Sequence, residues 1–362
     1  MTDLEEFRRE TESKYLALPL PKWKQEVGGK IVYREELKYS DYAIPLPSAF
    51  PKPDTAGFAL VGKGDYVARP LLECQGDPWL SGELFRSSDD KLELLALAGW
   101  KHGLFLDIPP GSSAFVKVEL TEAAPFRLII RVGQKASPEI KVRYFQPGKS
   151  VGFGTSLLQL YGEEGSRPTL NVLGGYSRVE FSALEGRLGP NSSTRITTFI
   201  SSGDYGRHVG RLWLDAGSEV KAVVGEYVSK NSFGDSLFSV SHRSASTSDV
   251  DMRAAVLGKG VLRGVTKIER GAVGSKANLQ ERVLMVGNEA KAVTSPSLDI
   301  YEKDVQAKHG SWAGRIGSNE LFYLRSRGLN EEQAVALVLR GLFEPLLSVF
   351  PAADVLGDTI DG

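Results

Sequence analysis

The sequence predicts a mainly β fold, a stack of short strands held between helical ends. Three observations carry that prediction. From about residue 100 the chain alternates β-rich runs with Gly, Ser, Asn and Asp. Val179, Phe181 and Ala183 interleave with Arg178, Glu180 and Ser182, and the same two-residue period returns at Ile196, Thr198 and Ile200 and at Val220, Ala222 and Val224. Nothing helical of useful length interrupts these runs before about residue 315. That excludes a βαβ sheet, whose parallel strands need helical crossovers. A turn motif also recurs: AGSEVKA from Ala216, VGSKAN from Val273 and VGNEAKA from Val286. Its glycines, Gly217, Gly274 and Gly287, stand 57 and 13 residues apart. Those separations approximate four half-turns and one half-turn of a two-faced solenoid. The spacing favours a parallel β-helix; an antiparallel sandwich is the other architecture the runs allow.

The elements follow in order. Leu4, Phe7, Tyr15 and Leu16 recur at helical spacing, and LPLP at 18–21 ends that first helix. Pro45, Pro47, Pro51 and Pro53 then mark an irregular connector. The expected division is a helical and irregular region over 1–95, with the fold of 20–95 left open, a β core over 96–315 and a helical region over 316–362. At the C-terminal end, Ser318 is placed to cap a helix through Leu321, Phe322 and Leu324, closed by Gly328. Asn330 starts another, with Gln333 at the capping-box position, and Ala334, Leu337, Val338, Gly341 and Leu342 on one face. Pro345 ends or kinks it.

Bulk composition narrows the function classes. Hydrophobic residues make up 41% of the 362, enough for a sizeable core. A net charge of -1 supplies no global field toward nucleic acid or an anionic membrane. No apolar run approaches the roughly 18 residues of a membrane span, and the start, MTDLEEFRRE, is too acidic for a secretory signal. A single cysteine, Cys74, excludes an internal disulfide and a cysteine-cluster metal site; it reads as a small buried residue. The expectation is a cytoplasmic protein, in which the sequon Asn191-Ser192-Ser193 is chance.

Few motifs carry chemistry. Gly148-Lys149-Ser150 resembles the tail of a phosphate loop, but Arg143 stands where that loop needs glycine and Pro147 removes a donor, so it reads as a turn. Gly258-Lys259-Gly260 misses the dinucleotide spacing. The four histidines, His102, His208, His242 and His309, show no metal-motif spacing. His102 and His208 read as surface or strand-end imidazoles, and His242 as a turn histidine with a structural hydrogen bond. His309 lies in LDIYEKDVQAKHGSWAGRIG, where Gly310 follows it. A neutral imidazole there can ligate a soft or borderline metal; the plain alternative is a histidine pinning the β-to-helix junction. Glu302 and Asp304 share one face if the segment is a strand, and read as a solvated edge. Clustered acids in a groove would instead mark a β-helix carbohydrate-active enzyme, a lyase or hydrolase.

Several segments together resemble the SufB/SufD family of iron–sulfur cluster assembly proteins: VSHRSA at 240–245, GKGVLRGVTKI at 258–268, NLQERVL at 278–284, SPSLDIYEKDVQAKHG at 295–310 and LFYLRSRG at 321–328. They span about 100 residues in family order. The resemblance implies a right-handed parallel β-helix with helical ends and decides against the sandwich. It also implies assembly with a SufC-like ABC ATPase, docked through the helices after Ser318 by way of Phe322, Leu324, Leu337 and Leu342. The SufB-type branch carries a cysteine and a glutamate where Ala290 and Gly310 stand here. The SufD-type branch has histidine followed by glycine. The chain is therefore expected to be a non-catalytic scaffold that binds no cofactor alone. His309 would act as a metal ligand toward a transient iron–sulfur cluster at a seam with a SufB-like subunit or a second copy. No nucleic acid or membrane partner is implied.

Overall fold

The structure, a computed structural model, describes residues 4–19, 25–27, 30–32, 46–144, 151–175 and 177–356. Gly148-Lys149-Ser150 and Pro45 lie outside them. The N-terminal elements are helix α1 (Leu4–Ala17), strands β1 (Gln25–Val27), β2 (Lys30–Val32), β3 (Phe58–Lys63) and β4 (Val67–Pro70), and helices α2 (Pro78–Leu84) and α3 (Lys91–Ala98).

A long run of strands follows: β5 (His102–Ile108), β6 (Phe115–Leu120), β7 (Phe126–Val132), β8 (Glu139–Arg143), β9 (Val151–Gly162), β10 (Thr169–Gly174), β11 (Ser177–Leu188) and β12 (Ser193–Ser202). It continues with β13 (Tyr205–Leu214), β14 (Glu219–Val228), β15 (Phe233–His242), β16 (Thr247–Val256), β17 (Lys259–Ile268) and β18 (Lys276–Met285). Three short or late strands end it: β19 (Lys291–Thr294), β20 (Ser297–Ile300) and β21 (Gln306–Arg315). Helices α4 (Ser318–Ser326), α5 (Glu331–Leu342), α6 (Glu344–Leu347) and α7 (Ala352–Leu356) complete the described chain.

Alternate strands enter alternate sheets. One sheet runs β21-β18-β16-β14-β12-β10-β8-β6-β3, the other β19-β17-β15-β13-β11-β9-β7-β5-β4, with β20 beside β19 on β17. From β5 onward every pairing within the two sheets is parallel. Val179 lies opposite Tyr205, and Tyr205 opposite Phe233, so a turn takes 26 or 28 residues. This is a parallel β-solenoid of about seven turns, as the turn spacing predicted. At one end β3 and β4 pair antiparallel with β6 and β5.

The corners explain the repeat. Gly217 and Gly274 occupy the same corner, two turns apart, and Gly287 the opposite one; all have φ between +70° and +86°, a region open to glycine. Asn191, at φ 56°, fills the corner position one turn before Gly217, so its sequon is corner chemistry. The corners stack by backbone bonds, Gly165 N–H to Pro190 O, Asn191 N–H to Ala216 O and Gly217 N–H to Ala245 O. The serines that follow, Ser166, Ser192, Ser218 and Ser275, are buried.

Helices cover both outer faces and fix which side of one strand is inward. Phe181 and Ala183 of β11 point outward, against Leu92, Ala96 and Leu97 of α3, whereas Glu180 and Ser182 are buried on the opposite, inward side. Full burial of a side chain such as Phe181 contributes about 1.5–3 kcal/mol. The α3 layer is also stitched electrostatically: Arg86 grips Glu185 with two hydrogen bonds of 2.7 and 2.9 Å, and Arg211 pairs with Glu93. Buried Arg127 donates to the carbonyls of Glu83, Leu84 and Leu97, which closes the C-terminal ends of α2 and α3. On the other face Leu339, Phe343, Leu346 and Phe350 pack over Leu173, Phe199, Ala255 and Leu284.

Several local expectations hold and others change. α1 buries Leu4, Phe7 and Tyr15, but Leu16 faces outward. Asn330 and Gln333 form the capping box, Gly328 follows α4 with φ 95°, and α5 ends before Pro345. Ser318 does not cap α4; Gly317 holds that position without a side-chain bond, and Ser318 is already helical. The buried face of α5 is Ala334, Ala336 and Leu339, which turns Leu337 out to solvent.

Candidate functional site

The candidate site lies at the solenoid end farthest from β3 and β4. There β21 pairs only with β18, and β19 and β20 only with β17. The outer N–H and C=O groups of these strands face no further strand among the described residues.

His309 stands on β21 opposite Leu279, and Gly310 opposite Gln280. Side chains of paired residues in a parallel ladder share a face, and Leu279 is buried in the solenoid core. His309 therefore continues an inward-facing row. It is exposed, because no turn lies beyond it. Ala290 is buried at the corner before β19; its carbonyl, with that of Gly287, accepts the Arg315 guanidinium. Glu302 and Asp304 fall in the loop between β20 and β21, so they do not share a strand face. Glu302 instead accepts the N–H groups of Lys303 and Gly271, and these bonds hold its carboxyl below the usual range. The Asp304 carbonyl accepts the Gly274 N–H at 2.7 Å.

Beneath this end lies Glu281, a residue sequence reasoning did not single out as a site. It is 1% exposed and sits opposite Ser311. β19 and β20 are interrupted at Ser295-Pro296, and there the Gly264 N–H turns to Glu281 Oε1. Oε2 has no hydrogen-bond partner; the nearby Ser295 N–H, which donates to Leu262 O at 2.9 Å, also favours the carboxylate charge. Burial pushes the Glu281 carboxyl up to about 7. A buried oxygen without a donor costs about 1–3 kcal/mol.

The other histidines are buried: His102 stands at a strand end, one of the two places expected for it, whereas His208 lies within β13, neither at the surface nor at a strand end. His102, at the start of β5, places Nδ1 2.6 Å from Asp54 and Nε2 2.7 Å from Glu122, with Lys101 also on Glu122. These three make the one trio of potential metal ligands among the described residues. Both ring nitrogens are already engaged by carboxylates, and the ammonium offsets their charge, so the trio serves as an ion-paired clasp. Its members lie 48 and 20 residues apart, with no spacing signal. His208 lies between Ser182 and Ser202, and burial lowers it to about 4. Glu226, held by Ser202 and Ser236, is raised to about 7 by burial. Both are then neutral near pH 6, so their 3.7 Å approach is not an ion pair. His242 bonds Ser246 and Ser248, the structural role expected of it.

Cys74 is buried, donating to Pro70 O at 3.3 Å. Its neighbours β4 and β5 are at the edge opposite β19, far from His309. Gly258 is a tight corner, where a Cβ would come within 2.3 Å of Ser232 O, and not a phosphate cradle. On the terminal helices Phe322, Tyr323 and Leu337 are exposed; Leu324 and Leu342 are half-buried.

Comparison with known proteins places these features. The SufBD core domain of SUF-system FeS cluster assembly matches residues 116–342. The iron–sulfur cluster assembly protein SufD of Bacillus subtilis is 38% identical over 95 residues, 26% of this chain and 22% of that protein. An iron–sulfur cluster assembly SufBD family protein of Mycobacterium tuberculosis is 37% identical over 94 residues, 26% of this chain and 11% of the relative. A SufBD family protein of Staphylococcus epidermidis is 27% identical over 128 residues, 34% and 28% of the two chains. The aligned stretch thus spans less than a third of each of these relatives. The core-domain match, by contrast, takes in most of the solenoid and the first two helices after it, α4 and α5: the chain belongs to the SufB/SufD family of iron–sulfur cluster assembly proteins.

Proposed function

We propose that this chain is a non-catalytic, cytoplasmic scaffold subunit of an iron–sulfur cluster assembly complex. Its open end, β19 to β21, pairs with a second copy or with a SufB-like subunit, and its terminal helices dock a SufC-like ABC ATPase. The observation that carries the reading is the placement of His309. It is a lone exposed imidazole in an inward-facing row, on a strand whose outer edge has no partner among the described residues. Such an edge is a template for another strand. A partner added there would sit over His309, and the imidazole could share an iron ion or a nascent cluster with ligands the partner supplies. With alanine at 290 and glycine at 310, this chain has no thiolate and no second carboxylate at those positions. Exposed Phe322 and Leu337 offer apolar anchors for the ATPase.

Nothing favours the carbohydrate-active alternative. Two outer cavities near this end hold one carboxylate each, Asp249 and Glu289, and no aromatic ring.

The test is His309→Ala in the reconstituted complex. Folding and co-purification with the ATPase are expected to persist while cluster yield falls severalfold. An unchanged yield would reduce His309 to a junction residue.

A further inference from the structure

Glu281 is the one buried carboxylate at the open end among the described residues, and one of its two oxygens has no hydrogen-bond partner. Oε1 bridges the interrupted ladder through the Gly264 N–H; Oε2 has no hydrogen-bond partner although the residue is 1% exposed. Register pairs Glu281 with Ser311 and Leu279 with His309, so Glu281 and His309 are diagonal neighbours on one inward face. Diagonal neighbours on adjacent strands stand roughly 7–8 Å apart. An imidazole and a carboxylate can close that span on a single ion, each binding at about 2.0–2.2 Å. The row above Glu281 carries small side chains on either side of the imidazole: Ala307, Ser311 and Ala313, the last two exposed. The approach from the open end is therefore not walled off by a large residue of β21.

We propose that Glu281 is a second ligand from this chain, beside His309, for a divalent iron ion handled at the open end. The inference rests on the reading of His309 as a ligand. An imidazole with a carboxylate suits a first-row divalent cation. The Asp54, His102 and Glu122 trio differs, because both nitrogens of that ring are occupied and Lys101 stands beside it. At the open end one carboxylate oxygen is unused and the imidazole is exposed.

The experiment is an anaerobic titration of the full chain with Co2+ as an iron surrogate, followed by its visible absorption, for the parent chain, His309→Ala and Glu281→Gln. The amide of the Gln variant keeps an oxygen for the Gly264 N–H, and thermal melting checks that it folds. Both variants are expected to bind roughly tenfold more weakly or worse, since even indirect partners of a metal contribute that much. If His309→Ala weakens binding and Glu281→Gln does not, the inference is wrong and the reading of His309 stands. If neither changes binding, both fall. Should Glu281→Gln fail to fold, crystals of the parent chain soaked in Co2+ decide. An anomalous peak within bonding distance of both side chains supports the pair, and a peak on His309 alone overturns it.

Discussion

His208 and Glu226 show how the interior sets charge. Burial pushes the imidazole to about 4 and the carboxyl to about 7, so both are neutral inside the solenoid. Unfolding restores ordinary values near 6.5 and 4.5. Between those values unfolding lets His208 take up a proton, which destabilises the fold as pH falls. It lets Glu226 release one, which destabilises the fold as pH rises. His242, lowered to about 4, and Glu281, raised to about 7, oppose each other in the same way. The slopes cancel, and stability should be nearly flat from pH 4.5 to 6.5. Glu226→Gln removes one opposing slope, so its denaturant midpoint should climb with pH across that window. A flat profile in the variant would show that these groups do not titrate as described. At this scale His309 drew notice because of the Gly after it and the polar approach, and the structure places it exposed on the last strand. The burial of His102 and His208 was not legible in the sequence. The partners of His102 arrive from 20 and 48 residues away, and those of His208 from 6 and 26 residues away on both faces of the coil.

The corners are the elements that repeat most strictly. Gly217 combines a φ of +70° with close approach, since a Cβ there would lie 2.4 Å from Asn191 Oδ1. Gly217→Ala should cost about 1–2 kcal/mol from backbone conformation alone, plus the displacement of Asn191. Gly271, at φ +87°, has open space around it, so Gly271→Ala should cost less. Equal losses in chemical denaturation would argue that strain, not contact, governs both sites. The turn glycines exposed this architecture in the sequence. Two further corner pairs, Gly165-Ser166 and Asn191-Ser192, carry the same signal two turns and one turn before Gly217, the second of them disguised as a sequon. Strand direction was harder to read. Alternation in β11 marks two faces without saying which is inside. Only the packing of α3 on Phe181 and Ala183 shows that the polar set faces in. Helix ends behaved similarly: the Asn330 box has two reciprocal bonds and was readable, whereas α4 follows a glycine at the cap position, which has no side chain to bond.

At the scale of the whole molecule the two ends differ. Beside α1 to α3, short antiparallel strands β3 and β4 finish the sheets. At the other end β19, β20 and β21 run parallel to their neighbours and stop with the imidazole row uncovered. Among the described residues no helix is long and apolar enough to cross a membrane. A rod with one receptive end forms pairs, whereas two receptive ends would form filaments. The sequence conveyed the late strands and their family motifs, but the antiparallel finish at residues 58–70 had no readable repeat. The most direct test places a photo-crosslinking residue at Lys308, beside His309, and separately at Val61 on exposed β3, in the assembled complex. If the proposed pairing holds, adducts to a second copy or to a SufB-like subunit should form from position 308 and not from 61. Adducts from 61 alone, with the complex intact, would contradict pairing through the open end.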